Sequence, residues 1–171
     1  LVVSGDLATS DIDFKTSGNC SNSASCSGGL LTLGADIAIT SELSGSGRGI
    51  ATAGYTLTLG DSSSWNNPIV ISGTGGLTKT GSGTIQMLNA STYTGTTTIN
   101  NGTLSVSTYN GALSNSSLLS VASGATYTLN EDDTFASITG AGTIATGGNT
   151  LTAGNSSNQT FSGVISGSGG L

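Results

Sequence analysis

The chain has 171 residues, a net charge of −6 and only 3 lysines and arginines in total. Because affinity for nucleic acid depends on neutralising phosphates, this composition argues against nucleic acid as a partner. With 28 glycines, 1 proline and only 7% charged residues, the composition differs from both collagen and disordered chains. No apolar run approaches the roughly 20 residues that span a bilayer, so we expect no transmembrane segment in this chain.

The first segment, residues 1–14, is predicted to open with a valine-rich strand and to close on an alternation of acidic and apolar residues. Asp11 and Asp13 would then point outward together, which is the arrangement that hydrolysis by paired carboxylates requires. Outward aspartates on a strand are more often simply solvated, so we predict no catalytic residue in this chain.

The two cysteines, Cys20 and Cys26, lie in a loop rich in serine and asparagine. Their short separation favours a small disulfide-closed loop formed in an oxidising compartment. A metal or redox pair is disfavoured because the chain has no histidine and no second cysteine pair. We therefore predict no metal site and no cofactor.

Further strands are predicted at residues 30–33, 36–40 and 55–59, followed by a protruding loop at 61–68. This loop carries Trp65, the only tryptophan in the chain. An exposed indole flanked by asparagines is suited to stack on a sugar or to anchor a protein partner, so Trp65 is predicted as a possible ligand contact. The alternative is that Trp65 folds back over the coil.

The central stretch, residues 75–106, alternates apolar and polar residues between short glycine, asparagine and serine turns. Ile85 and Met87 are predicted to face one way, as are Leu104 and Val106. Asn101-Gly102 fits either a tight hairpin turn or the corner of a coil of parallel strands, and local spacing does not separate these.

Strands are also predicted at 118–121 and 126–129, and residues 131–133 are predicted to form a solvated acidic turn. Acidic oxygens can bind Ca²⁺, but no glycine-aspartate nonapeptide accompanies this triplet. The threonines do not follow a strict rung period in the sequence, which argues against the regular threonine rows of ice-binding solenoids.

A repeat decides between the folds that local spacing leaves open. Gly73–Leu77 recurs as Gly167–Leu171 at an offset of 94 residues (171 − 77). A shorter rhythm of roughly 20 residues runs beneath this offset, and such a period is typical of a solenoid whose coils bury their apolar face against their neighbours.

Residues 75–104, with the lead-in ISGTGG, closely resemble the autotransporter-associated β-strand repeat, also called the passenger-associated transport repeat. Residues 161–171 resemble the start of a second copy. The residues of 75–106 that carry the structural repeat are Gly75, Gly76, Leu77, Gly81, Gly83, Tyr93, Gly95, Gly102 and Leu104.

The resemblance implies an all-β fold, a right-handed parallel β-helix, in which 1–171 is a single segment of a longer chain. At roughly 20 residues per rung the chain would make about seven or eight rungs. It also implies the passenger of a type V secretion protein, located outside the cell at a Gram-negative outer-membrane surface.

We expect this passenger to be a non-enzymatic stalk acting in adhesion or self-association, with itself or a host or cell-surface protein or glycan as partner. One alternative is a protomer of an extracellular filament built by end-to-end stacking of rungs. A polysaccharide-acting β-helix enzyme ranks below both.

Overall fold

The computed structural model describes residues 2–3, 30–40, 49–60, 62–106, 113, 118–154 and 158–171. Within these ranges every regular element is a strand, and every strand pairing is parallel. The strands are β1 (Val2–Val3), β2 (Leu30–Leu33), β3 (Ile37–Ile39), β4 (Gly49–Ala51), β5 (Leu57–Leu59), β6 (Trp65–Asn67), β7 (Val70–Ser72), β8 (Leu77–Lys79), β9 (Thr84–Met87), β10 (Thr97–Ile99), β11 (Thr103–Val106), β12 (Leu118–Val121), β13 (Thr126–Thr128), β14 (Asp133–Phe135), β15 (Ser137–Gly140), β16 (Thr143–Gly147), β17 (Leu151–Ala153) and β18 (Val164–Gly167).

The strands follow one another around a coil with three sides, which we call face A, face B and face C. Face A holds β1, β2, β4 and β7, face B holds β3, β5, β8, β10, β12 and β15, and face C holds β6, β9, β11, β13, β16 and β18. Strands β14 and β17 pair with each other and take the place of a face A strand: β14 lies between β13 of face C and β15 of face B, and β17 follows β16 of face C.

This winding confirms the predicted all-β parallel β-helix. Faces B and C each contain 6 strands, which agrees approximately with the predicted rung number. Each rung closes the backbone hydrogen bonds of the next, as a solenoid requires.

One turn takes about 20 residues, as the sequence rhythm predicted. Side chains at the corners form hydrogen bonds to residues one turn away. Asp36 Oδ1 accepts a hydrogen bond from the Thr56 N–H at 2.7 Å, and the two residues are 20 apart. Ser64 Oγ accepts from the Thr84 N–H at 2.9 Å across the same interval. These oxygens satisfy backbone donors of the next rung just before a strand begins.

The core is a set of inward columns that run along the coil. Ile85 lies beside Leu104, and Met87 lies beside Val106, in register, and all four side chains are buried. The alternation predicted for the central stretch is therefore confirmed. Burying an aliphatic side chain of this size contributes roughly 1.5–3 kcal/mol, so the columns supply most of the cohesion between rungs.

Asn101-Gly102 forms a corner of the coil and not a hairpin. Strands β10 and β11 on either side of it belong to faces B and C, and both pair in parallel with other rungs. Gly102 has a positive φ of 66°, which glycine adopts without the steric cost of a Cβ, and its N–H donates to Asn101 Oδ1 at 2.8 Å.

The expectation of a protruding loop at 61–68 is wrong for its second half. Residues 65–67 form β6, which pairs with β9 so that Trp65 lies beside Ile85. Trp65 and Asn67 are buried and Asn66 is exposed, so this segment follows the strand alternation. Its polar composition hid a strand because Asn67 faces inward, where its Oδ1 accepts from the Ile69 N–H at 3.0 Å.

Several predicted features lie outside the described residues. These are the aspartate pair Asp11 and Asp13 and the predicted disulfide between Cys20 and Cys26.

Candidate binding surface

The indole of Trp65 is held in the wall of the coil. The residue is only 7% exposed. This differs from the expectation of an exposed tryptophan on a loop. Its Nε1 is buried and, among the described residues, has no hydrogen-bond partner. A buried donor without a hydrogen-bond partner is energetically costly. A ligand contact at Trp65 stays a prediction.

A shallow groove of about 360 Å³ opens on the outside of face C, next to Trp65. Its outer wall is formed by Asn66, Gln86 and Ser105, which occupy the same position in consecutive strands β6, β9 and β11. The complete lining is Ser64, Trp65, Asn66, Thr84, Gln86 and Ser105, none of which is charged.

Beside this groove runs a column of threonines in strict register. Thr84 pairs with Thr103, Thr103 with Thr126, and Thr126 with Thr143. The expectation that threonines do not follow the rungs is therefore wrong for this face. The sequence hid the row because the turns between these strands differ in length, although the strands keep register.

The glycines assigned to the repeat lie where the backbones of two rungs touch. A Cβ on Gly75 would lie 1.7 Å from the carbonyl oxygen of Tyr55, and one on Gly83 would lie 1.8 Å from that of Ser63. Leu77 and Leu104 are fully buried in the core columns. The remaining repeat residues are Gly76, Gly81, Tyr93, Gly95 and Gly102.

Tyr93 lies inside the coil with its ring fully buried. Its hydroxyl and the Thr97 Oγ1 form a hydrogen bond of 2.6 Å. Burial raises the pKa of Tyr93 above its usual range, with the nearby Asp133 contributing in the same direction and the Thr97 bond opposing it.

Lys79 was not singled out from the sequence, yet it is 1% exposed. Its ammonium donates to the carbonyl oxygens of Thr80 at 2.6 Å, Gly81 at 2.9 Å and Asn101 at 3.2 Å. It thereby joins the turns of two successive rungs. The alternation of side chains in a strand predicts this burial: Leu77 faces inward, so Lys79, two residues further on, faces inward too.

Asp133 is also buried, at 4% exposure, so the expected solvated acidic turn is wrong at this residue. It begins β14, where parity with Phe135 turns it inward. The Tyr127 hydroxyl donates to its Oδ2, and the N–H of Thr134 donates to its Oδ1 at 2.8 Å. The N–H of Leu113 donates to Oδ2 at 3.4 Å.

Desolvation by burial raises the pKa of Asp133, and the hydrogen bonds from Tyr127, Thr134 and Leu113 only partly offset it, while Glu131 adds a smaller upward contribution. The pKa of Tyr127 is raised well above its usual value by burial first and by the charge of Asp133 second. The Tyr127 ring packs edge-to-face on Phe135 with centroids 5.6 Å apart. Tyr127, Phe135 and Asp133 are all buried, so this cluster lies in the interior of the coil.

Of the other members of the acidic triplet, Glu131 has a buried Oε1 with no hydrogen-bond partner among the described residues, and Asp132 binds the backbone. Asp132 Oδ1 accepts from the Thr150 N–H at 2.6 Å, which repeats the corner bond made by Asp36. Among the described residues, no three acidic, histidine or cysteine side chains gather where they could hold a metal ion.

A comparison with known protein families finds a match for one segment of the chain. Residues 77–106 match the family model described as the passenger-associated transport repeat, which confirms the repeat identified from the residues. The matched segment runs from β8 through β11 and contains Lys79, Tyr93 and part of the groove.

No curated protein and no solved structure matches the chain. The part of the chain that the structure describes contains no helix long and apolar enough to cross a membrane.

Proposed function

We propose that this chain is a surface-exposed segment of an autotransporter passenger, acting outside a Gram-negative cell as a non-enzymatic stalk in adhesion or self-association. The observation that carries the proposal is the passenger-associated transport repeat at 77–106, set within a continuous parallel coil. A coil of this kind holds its outer faces at fixed positions along its length.

The outer faces support a binding role. Face C presents the threonine column and the groove, and face B presents a second outward column in which Thr58, Thr78 and Thr98 are in register. Neutral hydroxyls repeated once per rung make weak contacts individually. Many such contacts on one rigid body add up through a high effective concentration, so avidity supplies the affinity.

A direct test uses beads coated with the purified chain. We expect the coated beads to clump with one another or to bind host cells, whereas beads coated with a charged, unrelated protein should do neither. Antibodies against the chain should label intact source cells, and external protease should remove the label without lysis. Coated beads that stay dispersed and bind no cells would refute adhesion and self-association together.

A second candidate is end-to-end assembly into a filament, in which strands of two copies would pair in parallel as the rungs of one copy do.

Electron microscopy at rising protein concentration separates the two functions. Filament formation predicts fibres for the native chain and for Gln159→Lys, an exposed control, and no fibres for Ile165→Lys, which places a charge in the stacking column. Fibres that persist in Ile165→Lys would show that another surface assembles the chain.

A further inference from the structure

We propose that the groove on face C is a binding site for a neutral saccharide chain lying along the coil axis. The proposal deepens the proposed surface function, since it names the class of ligand, and it rests on that function only for its biological setting. The site is defined by Asn66, Gln86 and Ser105 on one side, Ser64 and Thr84 on the other, and Trp65 in its wall.

The two amides are available to a ligand. Asn66 is exposed and Gln86 half-buried, and neither side-chain amide hydrogen-bonds to any described residue. Each amide offers two donors and an acceptor with two lone pairs. Other described asparagines nearby are occupied differently, as Asn89 shows by donating from Nδ2 to the Pro68 carbonyl at 2.6 Å.

The arrangement of these groups favours an extended ligand. Asn66, Gln86 and Ser105 come from consecutive rungs in strict register, so they repeat at the spacing of neighbouring strands, about 4.8 Å. Ser64, Thr84 and Thr103 repeat in the same way on the other side. Two parallel rows of neutral donors and acceptors match a chain that carries hydroxyls on both edges.

Charge separates a saccharide from other extended ligands. The described groove residues carry no charge, so neither an acidic nor a strongly basic ligand finds its counter-charge in the groove, and the net charge of −6 further disfavours an acidic ligand. Neutral hydroxyls remain the group that amides and serine or threonine hydroxyls recognise by hydrogen bonds.

Trp65 supplies a second, independent observation. Trp65 is one of the residues that line the groove, its side chain is more than nine-tenths buried, and its Nε1 donor has no acceptor among the described residues. The unmet bond is the kind of cost that a native structure retains at functional positions.

The test measures binding of cellotetraose, chitotetraose and maltotetraose to the purified chain by intrinsic fluorescence and by calorimetry. Trp65 is the only tryptophan, so fluorescence excited selectively at tryptophan reports the surroundings of this one residue. We expect at least one tetrasaccharide to produce saturable binding in both measurements. Asn66→Ala and Gln86→Ala should each weaken that binding about fivefold to tenfold, which is the loss of one hydrogen bond.

Asn100→Ala is the matched control, because Asn100 is an exposed asparagine whose side chain bonds to no described residue and which lies outside the groove lining. This variant should bind like the native chain. The two groove variants change outward side chains, and unchanged circular dichroism will show that they fold.

Three results would overturn the proposal: no saturable binding of any tetrasaccharide in either measurement, equal binding by the two groove variants and the native chain, or tighter binding of tetragalacturonate or an uncharged glycine-serine peptide. The last result would assign the groove to an acidic sugar or a peptide. Bead clumping that persists while tetrasaccharide binding fails would overturn the ligand class and leave the proposed function standing.

Discussion

Replacing Gly75 with alanine tests the stacking of rungs at its closest point. The added Cβ would lie 1.7 Å from the Tyr55 carbonyl oxygen and 2.7 Å from the Tyr55 carbonyl carbon and nitrogen. All three are backbone atoms of the neighbouring rung, so no side-chain rotation relieves the overlap. The rungs must separate locally by more than an ångström, about 1.5 Å, to restore ordinary contact.

That separation acts on a hydrogen bond between the same two rungs. The Leu57 N–H donates to the Gly76 carbonyl at 3.0 Å. Losing this bond costs about 0.5–1.5 kcal/mol, and overpacking adds about 1–3 kcal/mol. We therefore expect Gly75→Ala to lower the free energy of unfolding by about 1.5–4.5 kcal/mol, a large share of the roughly 5–15 kcal/mol of a typical domain.

Urea unfolding followed by far-ultraviolet circular dichroism, with Trp65 fluorescence as a local probe, measures the change. Gly148→Ala is the control, because a Cβ there would meet only the Ser168 Oγ, at 3.9 Å. We expect the control to stay within about 0.5 kcal/mol of the native chain. A Gly75→Ala variant that unfolds at the native urea midpoint would refute the argument that backbone contact between rungs requires glycine here.

Three further substitutions probe the buried polar groups. Lys79→Met keeps most of the apolar stem and removes three hydrogen bonds to carbonyl oxygens, so we expect a loss of about 2–4 kcal/mol in the same urea assay; an unchanged midpoint would contradict it. Tyr93→Phe removes only the bond to Thr97 and should cost about 1 kcal/mol, and a loss as large as that of Lys79→Met would show that the hydroxyl has another role. The raised pKa of Asp133 means that its protonated form is favoured in the folded state, so its contribution to stability is present below the unfolded pKa and is lost as pH rises through the folded pKa. Stability measured across this range should fall with rising pH less steeply in Asp133→Asn than in the native chain, and identical slopes would place the titration elsewhere.

Strand parity explains how much of the fold and of the buried polar groups the sequence contained. Alternation placed Ile85, Met87 and Leu104 inside correctly, because each lies in a strand whose neighbours in sequence are polar. The same rule applied to Leu77 places Lys79 inside, and applied to Phe135 it places Asp133 inside. Both were missed because a charged residue was taken to define an exterior position. A buried ionisable side chain is tolerated when backbone groups pair with it, and some of these partners, Asn101 for Lys79 and Leu113 for Asp133, come from other turns of the coil.

The groove on face C is a feature that could not be predicted from the sequence. Asn66, Gln86 and Ser105 share a position only because β6, β9 and β11 stack in register. They are 20 (86 − 66) and 19 (105 − 86) residues apart, so the sequence rhythm alone does not give the exact register that aligns them. Sequence reasoning found Trp65 by its rarity but placed it on a loop. Interior packing against Ile85, which makes residues 65–67 a strand, is a long-range effect that local polarity does not reveal.

The repeat at an offset of 94 residues shows that a fixed spacing in the sequence does not place its two occurrences on the same face of the coil. Gly73–Leu77 leads from β7 on face A to β8 on face B. Its second occurrence leads from β18 on face C to Leu171, which lies beside Leu151 because the Leu151 N–H donates to the Gly170 carbonyl at 3.0 Å. Since β17 takes a face A place, the second occurrence is rotated by one face.

The same local segment therefore folds in the same way on different faces, because each face offers it the same surroundings: a parallel strand on the preceding rung and an apolar column inside. The φ of Gly73 is +98° and that of Gly167 is +125°, so both occurrences turn through the left-handed region. A repeat that is not a whole number of turns distributes its outward side chains around the axis. Copies of one motif in such a coil would then point their outer columns in different directions around the axis.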